Sequence, residues 1–280
     1  MKIKEFDNYI EVSNLTHFSI DKIFDCGQCF RFDPDPLGGI SGIAMGRHYR
    51  FVQEKEDSIK IYNTTKADFE QRLISYLCLD RDYEMINKDI IARFGSDNTI
   101  KNAVERGKGI RILRQEPFEA LISFIISQNN NIPRIKGLIK TLCRKCGENL
   151  GEEKYAFPTP KAIVDLGTEG LRELKVGFRA PYIYDAALRV ANGETNLAEI
   201  AKLSTKEAET ELLKIKGVGP KVAACVLLFG FDKTDTFPVD VWIKRVLSKY
   251  YPNGIDINTL GEYRGLAQQY LFYYERYNNA

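Results

Sequence analysis

Cysteine is scarce in this chain, six among 280 residues, and that is too few for a disulfide scaffold. Histidine is scarcer still: His17 and His48 stand far apart and form no motif. Neither sign of charge dominates, with 40 Lys and Arg against 38 Asp and Glu. Any affinity for a polyanion must therefore come from local charge. No apolar run approaches ~20 residues, which excludes a transmembrane helix. Met1 to Phe6 lack the apolar stretch of a signal peptide. There is no internal repeat and no low-complexity tract. These absences lead to the expectation of a cytoplasmic protein with reduced thiols. What remains is ordinary globular composition, 44% hydrophobic and 28% charged. The length suits two domains or one large domain.

The first 65 residues read as strands. Ile40 to Ala44, His48 to Gln53 and Ser58 to Tyr62 are short alternating runs, with turns expected at Gly46-Arg47 and between Glu54 and Asp57. This pattern predicts an antiparallel meander. From Thr65 the period becomes helical, opened by a capping-box pattern of Thr65 with Asp68. A helix is expected from Tyr83 to Arg93, and the polar 95–110 segment has room for another. Beyond it the chain reads as almost wholly helical. Pro117, Pro133, Pro160 and Pro181 suit first-turn positions, and Ser204 with Glu207 forms a second capping-box pattern. Phe118 to Ile126 is nearly all apolar, as a central buried helix would be. The last helix is expected from about Leu260 to Arg276. The fold class that follows is α+β: residues 1–110 as an antiparallel sheet with helices, packed against a mainly helical region of residues 111–280, with a helical hairpin at about 205–230.

The sharpest local signal is that hairpin, Leu212 to Ala223, in which Gly217-Val218-Gly219-Pro220-Lys221 separates two helices. Small residues let the turn's backbone N–H groups approach an anion, and the second helix adds the positive end of its dipole. Such a turn holds phosphates without reading sequence. Pro238-Val239-Asp240 follows, with Asp240 nineteen positions after Lys221 and placed to cap the next helix.

The hairpin together with Pro-Val-Asp resembles the helix-hairpin-helix base-excision DNA glycosylases that carry a catalytic lysine. The resemblance makes Lys221 the nucleophile and Asp240 its acidic partner. The residue types fit the chemistry: a carboxylate stabilises positive charge developing at the sugar C1′, and an amine can displace the base and form a Schiff base. Many such enzymes hold an iron–sulfur cluster on four C-terminal cysteines, but no cysteine follows Cys225 here. Four further segments resemble the 8-oxoguanine DNA glycosylase/lyase family: Cys26-Gly27-Gln28-Cys29-Phe30-Arg31-Phe32, Ile126 to Arg134, Lys175 to Ala180 and Ala267 to Phe272.

That resemblance implies roles position by position. The Gly27 carbonyl would accept the N7–H that distinguishes 8-oxoguanine from guanine. Gln268 would contact the base edge, with Phe272 on one face of the purine and Cys225 on the other. Lys221 and Cys225 are i and i+4, as are Gln268 and Phe272, so each pair can share a helix face. Asn129, Arg134 and Arg179 would fill the vacated helix and meet the orphaned cytosine, and Phe178 would wedge beside it in place of the family's tyrosine. Gly217, Gly219 and Val222 would face DNA phosphates. So would Trp242, where animal members of the family have histidine; indole keeps one N–H donor but carries no charge. The expected partner is double-stranded DNA containing 8-oxoguanine, bound by a monomer, with no membrane and no metal or organic cofactor.

Three other readings stand beside this one. The Cys26/Cys29 and Cys143/Cys146 pairs have zinc-ligand spacing. The same fold can excise an oxidised pyrimidine or an alkylated purine. A hairpin can also bind DNA without chemistry, although that needs neither Lys221 nor Asp240. Residues 132–146 add local charge, with Arg134, Lys136, Lys140, Arg144 and Lys145 and no acidic residue. The Trp242 departure gives a test. A Trp242→His variant is expected to bind lesion DNA more tightly as pH falls from about 8 to about 5.5, where imidazole becomes charged. Superposable binding curves across that range would exclude a phosphate contact at this position.

Overall fold

The computed structural model describes residues 1–94 and 97–278. Strands β1 (Lys2–Glu5), β2 (Tyr9–Ser13), β3 (Phe32–Pro34), β4 (Ile40–Ala44), β5 (Arg47–Lys55) and β6 (Ser58–Tyr62) form one antiparallel sheet in the order β1-β2-β6-β5-β4-β3. Alternation sets the register. Ile10 lies opposite Ile61, Val12 opposite Ile59, and Phe51 opposite Ile61, all buried on one face. The β4–β5 turn falls on Met45 and Gly46, both at positive φ (51° and 70°), one residue earlier than expected.

The first 65 residues are not all extended. Helix α1 (Ile20–Asp25), capped by the Ser19 side chain, lays Ile20, Ile23 and Phe24 on the sheet core. Six residues are too short for a helical period to stand out in sequence. Helix α2 runs through Lys66–Asp68, a π-helical Phe69–Leu73 and Ile74–Tyr76. Only half of its expected capping box forms. Thr65 Oγ1 accepts from Asp68 N at 3.1 Å, but the Asp68 carboxylate turns inward to Arg47 (3.0 Å), Arg72 (3.3 Å) and the Tyr49 hydroxyl (3.0 Å). A buried carboxylate gains more from two guanidinium groups than from one backbone N–H.

The helices that follow are α3 (Tyr83–Phe94), α4 (Asn98–Gly107), α5 (Pro117–Ser127) and α6 (Ile132–Cys146). A short hairpin of β7 (Asn149–Gly151) and β8 (Lys154–Tyr155) interrupts the part expected to be helical. Then come α7 (Pro160–Glu173), α8 (Ala180–Ala191), α9 (Leu197–Lys202), α10 (Thr205–Leu213), α11 (Pro220–Gly230), α12 (Val241–Tyr250) and α13 (Arg264–Asn278). Each of the four prolines read as helix openers lies in a first turn. The Ser204/Glu207 capping box is complete. The last helix starts at Arg264, not near Leu260, because Ile257–Tyr263 is a 3₁₀ segment broken by Gly261 at φ 73°.

Two cores result. One joins the sheet to α1 and α2. The other gathers the helices and takes in Cys26, Phe30, Cys78 and the buried residues of α3 and α4, so residues 1–110 contribute to both. Helix α13 closes the molecule by returning to the N-terminal half. Its Tyr270 hydroxyl donates to Asn87 Oδ1 at 2.6 Å, and Arg276 donates to the Asp25 carbonyl at 2.7 Å. Arg81 and Arg114 both hold Asp232, just past the end of α11, at 2.7 Å.

The α4–α13 contact is close enough to test. A Cβ at Gly107 would stand 2.2 Å from Cδ1 of the buried Tyr270 ring. Gly107→Ala is expected to lower unfolding free energy by about 1–3 kcal/mol despite alanine's better helix propensity. Urea denaturation measures it; an unchanged midpoint would show that α13 can move away freely.

Candidate active site

The hairpin is formed by α10, a turn over 214–219 and α11. Asp185 on α8 braces the turn by accepting from Lys216 N at 3.0 Å. Gly217 has φ 81°, and a Cβ there would stand 2.3 Å from the Tyr182 ring, so packing alone demands glycine. Gly219 is different: a Cβ would meet no protein atom within 4 Å, and the fold leaves that side of the backbone open. Val222 buries its side chain and can offer a ligand only its N–H, one of the first-turn donors that an α-helix leaves unpaired.

Lys221 stands in the first turn of α11 and is half-buried. Its Nζ lies 3.3 Å from Ser127 Oγ and 5.3 Å from the centre of the Phe124 ring. One turn on, Cys225 shares this space. Burial pushes its thiol up, opposed by the nearby Lys221 ammonium, while the Asp240 carboxylate pushes it further up. Asp240 caps α12 by accepting from Ile243 N at 2.8 Å, as its position in the sequence predicts. Burial raises the Asp240 carboxyl above its ordinary value; the Ile243 N–H and Lys221 oppose the shift without cancelling it. Lys221, Cys225 and Asp240 thus form one electrostatic cluster.

Gly27 and Phe272, both expected around the lesion, come from distant parts of the chain and meet. Gly27 has φ +74°, and a Cβ there would stand 3.2 Å from Phe272 Cζ. Gln28 is fully buried and fixes the loop. Its Nε2 donates to the carbonyls of Ile23 (2.9 Å) and Arg111 (2.8 Å), and its Oε1 accepts from Leu113 N (2.8 Å). Gln268 is 2% exposed, with its Oε1 taken by Gln269 Nε2 at 3.0 Å. A circuit of neighbours results: Gly27 faces Phe272, Phe272 meets Trp242 two residues after Asp240, the Asp240 carboxylate interacts electrostatically with Lys221, Lys221 lies over Phe124, and Phe124 is edge-to-face with Phe30 of the Gly27 loop (5.7 Å).

Three of the expected site features also have partners within the protein. Trp242 lies edge-on against Phe272 (6.3 Å, 75°) with Arg245 over its ring at 4.9 Å, so the indole buttresses the Phe272 ring. The Arg179 guanidinium is buried. It donates to the carbonyls of Val176 (3.1 Å), Asn129 (3.0 Å) and Gln128 (2.9 Å), pinning the loop that holds Asn129 at φ 47°. Burial, with Arg134 nearby, holds that guanidinium below its ordinary range. The outward members of this group are therefore Asn129, Arg134 and Phe178, the last 53% exposed. The basic run on α6 is also partly consumed: Lys136 pairs with Asp33 (2.8 Å) and Arg144 with Glu153 (3.3 Å).

The cysteine pairs do not converge. Cys26 belongs to the helical core and Cys29 to the sheet core. Burial pushes the Cys26 and Cys143 thiols up to about 12. Among the described residues no three His, Cys, Asp or Glu side chains group as metal ligands. An open cavity of about 330 Å³ between β3–β4, α6 and the β7–β8 hairpin is lined by none of the expected site residues. Of the residues expected around the lesion, Cys225, Gln268 and Phe272 are buried. Sequence reasoning missed Ser127 and Phe124, since nothing in an apolar helix marks which residue meets a lysine 94 positions away.

Residues 10–121 match the family described as "8-oxoguanine DNA glycosylase, N-terminal domain", and residues 122–259 match "HhH-GPD superfamily base excision DNA repair protein". The structure is similar to that of MBOgg1 bound to a low-affinity DNA ligand, with TM-score 0.93 and 38% identity over 100% of this chain and 99% of that one. It is also similar to the Clostridium acetobutylicum 8-oxoguanine glycosylase/lyase bound to duplex DNA with cytosine opposite 8-oxoguanine, with TM-score 0.91 and 40% identity over 100% of this chain and 99% of that one. A probable N-glycosylase/DNA lyase of Methanothermobacter thermautotrophicus is 32% identical over 216 residues, 65% of this chain and 69% of the relative. Fold and site together define a helix-hairpin-helix base-excision DNA glycosylase. Within that class the chain belongs to the 8-oxoguanine DNA glycosylase/lyase family. Its partner is DNA, and among the described residues no helix is long and apolar enough to cross a membrane.

The electrostatic strain at Asp240 yields a prediction with a definite sign. The folded-state value lies above the unfolded one, so the folded protein carries the ionised carboxylate at a disadvantage once pH rises through the folded value. Below the unfolded value both states are protonated and the disadvantage vanishes. Asp240→Asn, which keeps a side-chain oxygen for the cap, is expected to be more stable than wild type near neutral pH, with the gap closing in acid. Equal melting temperatures at neutral pH would refute it.

Proposed function

We propose that the protein flips 8-oxoguanine out of duplex DNA, excises it, and nicks the strand through a Schiff base on Lys221. The observation that carries this reading is the meeting of Gly27, on a left-handed turn, with Phe272 in the circuit that contains Lys221 and Asp240. A lesion loop from the N-terminal half and a stacking ring from the last helix then bound the place where the nucleophile stands.

The chemistry follows from the groups present. The target nucleotide leaves the stack, and the exposed Phe178 with Asn129 and Arg134 occupies the gap. The Gly27 carbonyl accepts the N7–H of 8-oxoguanine; guanine offers no proton there, and an unmet buried acceptor disfavours it by about 1–3 kcal/mol. As the C1′–N9 bond breaks, its electron pair leaves with the base, and Asp240 stabilises the positive charge developing on the sugar. The Lys221 lone pair forms the N–C1′ bond, and the proton the amine sheds goes to the departing base. Opening of the sugar ring gives the Schiff base. Loss of a C2′ proton then expels the 3′ phosphate. Backbone N–H groups at Gly217, Gly219 and Val222 hold phosphates without reading sequence.

The test is incubation with an 8-oxoguanine:cytosine duplex and borohydride. Wild type is expected to form a covalent protein–DNA complex, and Lys221→Gln to form none. Base release without trapping would make water the nucleophile. Neither release nor trapping would favour another lesion, such as an alkylated purine, or DNA binding without chemistry.

A further inference from the structure

We infer that Ser127 is a positioning residue for the nucleophile: its hydroxyl aims the Lys221 amine at the sugar. The inference rests on Lys221 being the attacking group. Ser127 ends α5, and its Oγ–H is committed to the Phe124 carbonyl at 2.8 Å. With that proton spent, the oxygen can only accept, and the donor in reach is Lys221 Nζ at 3.3 Å. An amine that gives one N–H to a fixed acceptor loses rotation about Cε–Nζ. Its lone pair is then held at a tetrahedral angle from the Ser127 direction.

The acceptor is itself held in place. Phe124 supplies the carbonyl that fixes the hydroxyl, and it supplies the ring beneath the amine, 5.3 Å from Nζ. That ring stacks on Phe229 of α11 (5.3 Å, 18°) and meets Phe30 of the Gly27 loop edge-on (5.7 Å, 71°). The platform is therefore locked from both the nucleophile's own helix and the lesion loop. A neutral hydroxyl also suits the task better than a carboxylate would, since it takes an N–H from the amine and from the protonated Schiff base alike and does not demand positive charge.

Misaiming a reacting atom with binding intact should appear as a lower rate at saturation. Ser127→Ala is expected to slow the single-turnover plateau for base release and for borohydride trapping by about ten- to a hundredfold. Its half-saturating enzyme concentration, and its affinity for a duplex containing a tetrahydrofuran abasic site, should stay within about twofold of wild type. Ser127→Thr, which keeps the hydroxyl, should recover most of the rate. A wild-type plateau in Ser127→Ala, a parallel loss of binding and rate, or no recovery in Ser127→Thr would each overturn the inference. Lys221→Gln, run alongside, tests the underlying reading separately: if it still traps, Lys221 is not the nucleophile, whatever the Ser127 variants do.

Discussion

The site depends on one buried amide. Gln28 has no solvent contact, and its two polar atoms meet the backbone of Ile23, Arg111 and Leu113, while Gln115 Nε2 caps its own carbonyl at 2.7 Å. These bonds tie the lesion loop to the 110–115 segment that runs between the two cores. A buried amide left half-paired would be costly, so the complete set is what makes the loop rigid. With Gln28 fixed, Gly27 is held at its left-handed turn against Phe272, and Phe30 is held against Phe124.

From that anchor an aromatic path leads to Lys221. Phe30, Phe124 and Phe229 interlock, and Lys221 stands over the middle ring. On the far wall Trp242 supports Phe272. Rings suit this role because they bury much area with few rotatable bonds, and edge and face contacts define their orientation. The result is a cluster whose two sides, contributed by distant parts of the chain, are positioned by the same packing that builds the helical core.

The charged groups run against stability. Asp240 ionises where burial disfavours it, and the Arg179 guanidinium is buried against backbone carbonyls. Neither would be chosen to hold a fold together, since desolvated charge is unfavourable unless fully matched. Under the proposed function the first stands beside a developing cation, and the second pins the loop that holds Asn129 outward. The fold absorbs this through contacts elsewhere, including the Arg81–Asp232–Arg114 group and the return of α13 onto α4.

Much of this was legible in sequence because it is local. Strand alternation, prolines in first turns, the Ser204–Glu207 box, the Gly-Val-Gly hairpin and the Asp240 cap depend on residues a few positions apart, and the structure bears each of them out. The meeting of Gly27 with Phe272 was legible only through the family resemblance, and the Ser127–Lys221 contact and the inward turn of Arg179 were not legible at all. These join residues tens to hundreds of positions apart, and no local pattern encodes which of several exposed-looking polar residues the folded chain will bury. Asp68 shows the limit most plainly. Its spacing from Thr65 predicts a cap, but two arginines and a tyrosine brought by the tertiary fold outbid the local N–H. Sequence determined the elements and the chemistry they carry; only the packing of one half on the other decided which side chains face the reaction, because a buried polar group goes wherever the assembled interior can satisfy it.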